Sequence, residues 1–225
     1  MPIFGKCTAS AFLAERQQEE LTMKSTIKVR RMTELALLMS VVLLMAFTPL
    51  GYLTTPWGLS ITLIVVPVAV GAIVLGPKAG AFLGLVFGLT SFSKGFTGAG
   101  LSPILLDADP LGFFVLCVVP RVLVGFLPGL LYSFLKRFPK IRTFSQALCC
   151  FLTPICNTVL YMTALWLLFA DSWLAFNAAE GSGFSLLLMM LSGVAVNGVV
   201  EAAACLVLGT AVSKALLRTL HRNEG

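Results

Sequence analysis

The sequence predicts an all-α integral membrane protein, a bundle of six transmembrane helices with both termini in the cytoplasm. The prediction rests first on composition: 58% of the 225 residues are hydrophobic and 12% are charged, about half the charged share of a soluble domain. It rests second on long uncharged segments, each near the roughly 20 residues that cross a bilayer, and third on where the basic residues fall between them. Together these features exclude a water-soluble globular protein, a disordered chain and a nucleic-acid binder.

Six segments have the length and apolarity of membrane spans. They lie between charged residues, and the predicted spans are residues 35–53, 61–77, 79–93, 110–135, 143–170 and 181–213.

In chain order, the first span is uncharged, and the second and third are short and rich in glycine. Gly76-Pro77-Lys78 favours a tight turn between the second and third. The alternative, one kinked helix of about 33 residues, would reduce the count to five but is too long for a single span. The fourth span is interrupted only by Arg121, the fifth carries no charge, and the sixth is interrupted only by Glu201.

The basic residues orient the bundle, because cytoplasmic loops of membrane proteins carry an excess of Lys and Arg. With the N-terminus inside, all 16 basic residues except Lys94 and Arg121 lie on the inner side. We therefore expect a multi-pass protein of a prokaryotic cell membrane, whose net charge of +6 reflects topology rather than an acidic partner. The outer loops hold the acidic residues Asp107, Asp109, Asp171 and Glu180.

The predicted domain organisation is a cytoplasmic N-terminal tail at residues 1–30, a six-helix membrane domain at 31–218 and a cytoplasmic C-terminal tail at 219–225. The first tail has neither the apolar run of a signal peptide nor that of a span. Met23 stands directly before Lys24 and is an alternative start site; the sequence leaves the choice between Met1 and Met23 open.

Catalytic chemistry is missing from the sequence. The one histidine, His221, lies in the basic tail, so neither histidine catalysis nor a histidine-rich metal site is expected. The six cysteines form no CxxC pair and are interpreted as small apolar packing residues. There is no phosphate-binding GxxxxGK[ST] loop. We expect no catalytic residue, no metal, no cofactor and no enzyme activity in this chain.

Polar residues inside the predicted spans are the main functional signal, because an ionisable group there costs about 2.5–3.5 kcal/mol to insert. Arg121 follows Pro120 in the fourth span, and Asn197 and Glu201 are four residues apart in the sixth, as are Asn157 and Tyr161 in the fifth. Residues at this spacing share a helix face, so one internal cavity is predicted. Two readings stay open: Arg121 faces an anionic ligand, or Arg121 and Glu201 only pair to join two helices. The candidate ligand-binding residues are Lys94, Arg121, Asn157, Tyr161, Asn197 and Glu201.

Small residues at four-residue spacing mark two helix contacts. Gly80, Gly84 and Gly88 in the third span predict close packing against another helix of the bundle. Ala36 and Ser40 in the first span suit either an internal contact or a partner helix. The glycine-rich residues 95–100 after Lys94 predict a flexible outer loop, which is weak evidence for a lid.

The sequence resembles the substrate-binding (S) components of energy-coupling factor (ECF) vitamin transporters, a family of ABC importers. The resemblance covers residues 30–218 and is carried by the segments 61–67, 70–80 and 84–92. The fourth span adds Val119-Pro120-Arg121-Val122-Leu123-Val124-Gly125. These motifs are most like those of the pantothenate branch, and they are less specific for the ligand than for the branch.

The resemblance implies that the chain captures a vitamin outside and releases it inside by toppling in the membrane. It implies docking on a membrane-embedded coupling subunit through Ala36 and Ser40, with two cytoplasmic ATPases supplying energy. Pantothenate is the leading ligand, because Arg121 suits its carboxylate. The side chains of Asn157, Asn197 and Tyr161 suit the hydroxyls and the amide of pantothenate. The alternatives are hydroxymethylpyrimidine, pyridoxine or folate.

Three alternatives lie outside this function. A stand-alone secondary carrier would work without ATPase partners. A membrane scaffold or assembly factor would need no ligand pocket, and its polar residues would face different directions. An intramembrane enzyme would need an acid–base pair or a metal, and the predicted spans contain one carboxylate and no histidine.

Overall fold

The computed structural model describes residues 4–48, 52–54, 60–96, 101–138, 142–179 and 198–222. The chain divides into two compact units, Met1–Leu37 and Leu38–Gly225. The first unit is helical over its described residues, and the second contains every other element. A half-buried ion pair between Arg30 Nε and Glu34 Oε1, 3.2 Å apart, lies on the helix of the first unit.

Helices make up most of the described chain. The predicted tail at residues 1–30 is helical from residue 4 onwards, in the same helix as the first predicted span. The elements in order are α1 (Phe4–Phe47), β1 (Tyr52–Thr54), β2 (Ser60–Thr62), α2 (Val65–Val74), α3 (Pro77–Gly95), α4 (Leu101–Ala108), α5 (Pro110–Leu135), α6 (Arg142–Ala179) and α7 (residues 198–222).

Two short strands depart from the all-α prediction. β1 and β2 pair antiparallel, with Leu53 opposite Ile61, in a region assigned above to the end of the first span and the start of the second. The segments Tyr-Leu-Thr and Ser-Ile-Thr are rich in residues that favour strands. Pairing satisfies some of their backbone N–H and C=O groups without a helix, and the helix that follows begins only at Val65.

The predicted turn at Gly76-Pro77-Lys78 is present between α2 and α3. Gly76 has φ of 99°, a conformation that only glycine adopts readily. Pro77 is the first residue of α3, where its fixed φ suits a helix start and its missing N–H costs nothing. The chain therefore forms two helices here rather than one kinked helix.

The limits of α5 coincide with those predicted for the fourth span. Asp109 caps its N-terminus by accepting a hydrogen bond from the Leu111 N–H at 3.1 Å, and Pro110 occupies the first turn. The fifth predicted span, residues 143–170, lies within α6, which bends at Phe169 where φ and ψ are −136° and 33°. The straight part of α6 thus ends where the predicted span ends.

α7 contains the C-terminal part of the sixth predicted span. Its residues Cys205–Gly209 form a π-helical turn, and Thr210–Arg222 is again α-helical. A π-turn inserts one extra residue into the helix. Residues 180–197, which hold the first part of this span and Asn197, lie outside the described residues.

Three described helices are long and apolar enough to cross a membrane: Pro110–Leu135, Phe144–Phe169 and Gly198–Leu216. α2 is apolar but only 10 residues long, about 15 Å of helix. α3 has 19 residues but carries lysine near both ends. Large apolar side chains are exposed on α5, including Leu111 and Val119, as expected of a surface that meets lipid.

α3 lies directly against α5 along its glycines. A Cβ on Gly80 would overlap the backbone oxygen of Gly125, and a Cβ on Gly84 would overlap that of Arg121. Because these glycines have no side chain, the backbones of α3 and α5 can come into contact. This contact holds the segment of α5 that carries Arg121 in a fixed place.

Two apolar clusters fill the bundle on either side of that segment. One joins α4, α5 and the C-terminal half of α6, and its buried members are Leu105, Phe113, Leu116, Cys117, Leu165 and Phe169. The other joins α2, the N-terminal part of α6 and α7, and its buried members are Ala69, Ile73, Cys149, Cys150 and Cys205.

Candidate functional site

Arg121 is anchored by a carbonyl that a proline leaves free. Pro120 lies inside α5 and lacks the N–H that would bond to the carbonyl four residues earlier, which is that of Leu116. The Arg121 Nη1 donates to this Leu116 oxygen at 3.1 Å. The Pro120-Arg121 pair therefore builds its own guanidinium anchor, and the side chain points back along α5 toward Leu116.

Two aromatic rings flank the Arg121 guanidinium. Its Cζ lies 4.2 Å from the centroid of the Tyr161 ring on α6 and 5.7 Å from that of Phe87 on α3. Both distances are within the range of cation–π attraction. Within the described part of the chain the buried Nε has no hydrogen-bond partner. The guanidinium thus lies among side chains and backbone of three helices, α3, α5 and α6.

Asn157 provides a second unpaired polar atom. It is buried on α6 with 9% of its surface exposed, one turn before Tyr161 and on the same helix face. Its Oδ1 has no hydrogen-bond partner among the described residues. Buried polar atoms are nearly always hydrogen-bonded, so the Arg121 Nε and the Asn157 Oδ1 stand out among the described residues.

Glu201 lies on α7, and its carboxylate is hydrogen-bonded to strand β2 rather than to Arg121. Its Oε1 accepts a hydrogen bond from the backbone N–H of Thr62 at 2.6 Å, and only 6% of its surface is exposed. Among the described residues no ion pair joins Glu201 to Arg121. The two intramembrane charges therefore have separate surroundings, and each needs its own explanation.

Replacing Glu201 by alanine should lower the free energy of unfolding by about 2 kcal/mol, because the half-buried Thr62 N–H loses a charged acceptor. Glu201→Gln keeps an oxygen acceptor and should lose less than half as much. Thermal unfolding of the purified protein measures both, with Glu19→Ala as control, since Glu19 is exposed on α1 and a surface carboxylate contributes about 0–1 kcal/mol. Equal losses for Glu201→Ala and Glu201→Gln would contradict the role given to the Thr62 bond.

The other predicted site residues lie in different places. Lys94 is half-buried in the last turn of α3, seven residues or about 10 Å along the helix from Phe87. Asn197 lies outside the described residues. Ala36 and Ser40 are exposed on α1. The structure thus brings together Arg121 and Tyr161, with Asn157 on the same face of α6.

Three contacts of these residues were not anticipated from the sequence: the Phe87 ring, the Leu116 carbonyl and the Thr62 N–H. Phe87 is three residues after Gly84, the glycine that touches Arg121, and residues three apart share a helix face. The Leu116 carbonyl follows from the position of Pro120. The Thr62 contact joins residues 139 apart in sequence, and no local pattern marks it.

Comparison with known proteins gives matches to one transporter family. The family model described as "ECF transporter, substrate-specific component" matches residues 30–213. The chain is 29% identical over 192 residues to the "Pantothenic acid transporter PanT" of Lactococcus lactis subsp. cremoris, covering 81% of this chain and 90% of that protein. It is 34% identical over 101 residues to the "Pantothenate transporter PanT" of Leuconostoc mesenteroides, covering 42% and 47%.

The matched residues include α2, α3, α5, α6 and most of α7. They therefore include every described residue named above as a contact of Arg121 or Glu201. A transport subunit in a membrane agrees with the apolar helices and with the orphaned polar atoms between them. The chain belongs to the family of substrate-specific components of ECF transporters.

Proposed function

We propose that this chain is the pantothenate-binding subunit of an ECF-type importer. The observation that carries the proposal is the Arg121 guanidinium, which is fixed by the Leu116 carbonyl and stacked on Tyr161 yet keeps an unpartnered Nε among the described residues. A fixed cation of this kind selects an anion. The two relatives named as pantothenate transporters support the choice of anion.

The chemistry of pantothenate matches the groups around Arg121. Its carboxylate would accept charge-assisted hydrogen bonds from the guanidinium, which are about twice as strong as neutral ones. Its hydroxyl and amide N–H groups would donate to the Asn157 Oδ1, which has no partner among the described residues. Lys94, Tyr161, Asn197 and Glu201 complete the proposed set of ligand residues.

The proposed transport cycle follows from family membership. Six spans with both termini in the cytoplasm would place the vitamin pocket toward the outside. The exposed Ala36 and Ser40 of α1 would dock on a membrane-embedded coupling subunit, because small residues let helices approach closely. Two cytoplasmic ATPases would then drive toppling of the chain and release inside. A stand-alone carrier would instead take up pantothenate in vesicles that contain this chain alone.

Pantothenate should bind the purified protein in a saturable manner, whereas pyridoxine and hydroxymethylpyrimidine should not, because they lack a carboxylate for Arg121. The three tryptophans of the chain allow titration by intrinsic fluorescence, and calorimetry gives an independent affinity. Folate is the matched control for charge, since it is an anion with a large aromatic body. Saturable binding of another vitamin without pantothenate binding would refute the ligand assignment but not the family.

A further inference from the structure

An apolar groove lies between α5 and α6, away from Arg121, with a volume of about 580 Å³. On α5 it is lined by Leu127, Leu130, Leu131 and Phe134, which follow a helical spacing of three and four residues. On α6 it is lined by Leu152 and Cys156. Leu130 and Phe134 are 50% and 57% exposed, so this groove is open to the surroundings of the bundle.

The lining chemistry selects a hydrocarbon occupant. Leucine and phenylalanine side chains offer no hydrogen bond, and a polar molecule would lose its bonds to water on entering. The groove lies within the size range of ligand pockets, about 300–1,000 Å³. Leu127 and Phe134 are seven residues apart, which is about 10 Å along the helix. The shape and polarity of the groove suit an elongated alkyl chain lying along α5.

The end of the groove carries positive charge. α5 ends at Leu135, and the next two residues, Lys136 and Arg137, are both exposed. The Phe134 ring, which lines the groove, contacts the Phe138 ring with centroids 5.6 Å apart. The two cations thus lie within one short segment bounded by aromatic rings, next to the end of the groove.

The sequence of α5, α6 up to residue 170 and their connection contains no acidic residue that could neutralise these cations. The sequence from residue 110 to 170 contains no Asp or Glu, whereas it has two more basic residues, Lys140 and Arg142, between the two helices. Among the described residues neither Lys136 nor Arg137 forms an ion pair. A ligand that unites an alkyl chain with an anionic head would match both parts of this surface.

We propose that the groove and its basic end form a binding site for one anionic phospholipid. An acyl chain lies between α5 and α6, and the phosphate contacts Lys136 and Arg137. Basic clusters at the cytoplasmic ends of membrane helices bind anionic lipids in this way. The site is separate from Arg121, and the proposal holds whichever vitamin the protein carries.

The test is a lipid competition on the purified full-length chain in detergent, without vitamin. Phosphatidylglycerol and phosphatidylcholine with identical acyl chains are mixed in equal amounts, and native mass spectrometry measures the retained lipid. Because of the two cations, the wild type should retain phosphatidylglycerol over phosphatidylcholine in a ratio of roughly 30 to 1. The double variant Lys136→Gln/Arg137→Gln should bring the ratio close to one. Its matched control, Lys28→Gln/Lys214→Gln, removes two exposed lysines from α1 and α7 and should keep the preference.

A second variant tests the groove itself. Leu130→Trp places a large ring in the groove at a half-exposed position, and it should lower the retention of both lipids at least fivefold while the protein still unfolds at the wild-type temperature. Equal retention of the two lipids by the wild type would overturn the proposal. So would a phosphatidylglycerol preference that survives the Lys136/Arg137 double variant. A change of oligomeric state in Leu130→Trp, with lipid retention unchanged, would instead assign the groove to a second protein chain.

Discussion

Replacing Arg121 by alanine should lower the affinity for pantothenate by more than 100-fold, which corresponds to about 3 kcal/mol. The proposed carboxylate would then lie in the bundle without its cation, and breaking such a buried pair costs about 3–5 kcal/mol. Stability should fall less than affinity, by about 1–2 kcal/mol, because the Leu116 carbonyl loses its Nη1 donor and the Tyr161 ring loses its cation. Calorimetric titration measures the affinity, and thermal unfolding without ligand measures the stability.

Pro120→Ala tests how Arg121 is held in place. Alanine restores a backbone N–H that bonds to the Leu116 carbonyl, so the guanidinium loses its anchor at 3.1 Å. An interior proline costs a helix about 3 kcal/mol, so this variant should be more stable than the wild type while binding pantothenate about tenfold more weakly, the loss of one hydrogen bond to a charged group. A purely structural residue would not give opposite changes in the two measurements.

Two further variants bracket the Arg121 result. Arg121→Lys keeps the positive charge but loses the planar guanidinium that faces Tyr161, so its affinity should fall between those of the wild type and Arg121→Ala. Lys78→Ala removes an exposed cation at the start of α3 and should bind as the wild type does. Parallel losses of binding and thermal stability in Arg121→Ala would assign Arg121 to helix packing alone.

Gly84→Ala should lower the free energy of unfolding by about 2 kcal/mol, although alanine is the better helix former by about 1 kcal/mol. The new Cβ would overlap the Arg121 carbonyl oxygen, and the other nearest atoms, the Arg121 carbonyl carbon and Val122 Cα, also belong to the backbone. Backbone atoms cannot rotate aside, so α3 and α5 must separate, and overpacking of this kind costs about 1–3 kcal/mol or more. Thermal unfolding in detergent measures the loss.

Gly198→Ala is the matched control for Gly84→Ala. Gly198 is also helical, but no described atom lies within 4 Å of its added Cβ, so stability should stay the same or rise by up to about 1 kcal/mol. Because Gly84 touches the backbone of Arg121, Gly84→Ala should also weaken pantothenate binding, which Gly198→Ala should not. Equal unfolding temperatures for the two variants would show that α3 and α5 are not in backbone contact.

Helix limits were predictable wherever a local signal marks them. The last acidic residue before the fourth span, Asp109, marked the start of α5, and Gly76-Pro77-Lys78 marked the break before α3. The β1–β2 hairpin was not predictable, because apolar strands and apolar helices look alike over a few residues. The same ambiguity led to a predicted second span of residues 61–77, where the structure has strand residues and a helix of only 10 residues.

The candidate site was predictable as a set of residue types but not as a set of contacts. An arginine and an asparagine in apolar helices stand out because of what they cost to bury, so the sequence alone singles out Arg121 and Asn157 as candidates. Their partners were not found, because any of several helices could have faced Arg121. Glu201 shows the limit most clearly. Its charge is evident from the sequence, whereas its hydrogen bond to Thr62 depends on strand β2 and helix α7 being neighbours in space.

The bond between Thr62 and Glu201 also bears on how the protein is made. The two residues are 139 positions apart, so at about 5–20 residues per second the ribosome takes roughly 7–28 seconds to supply the acceptor after the donor. During that interval the Thr62 N–H must find water or a temporary partner, since lipid offers none. The hairpin therefore reaches its native state only after the C-terminal helix has emerged, and we expect a chain stalled before Glu201 to stay open to proteases at this point.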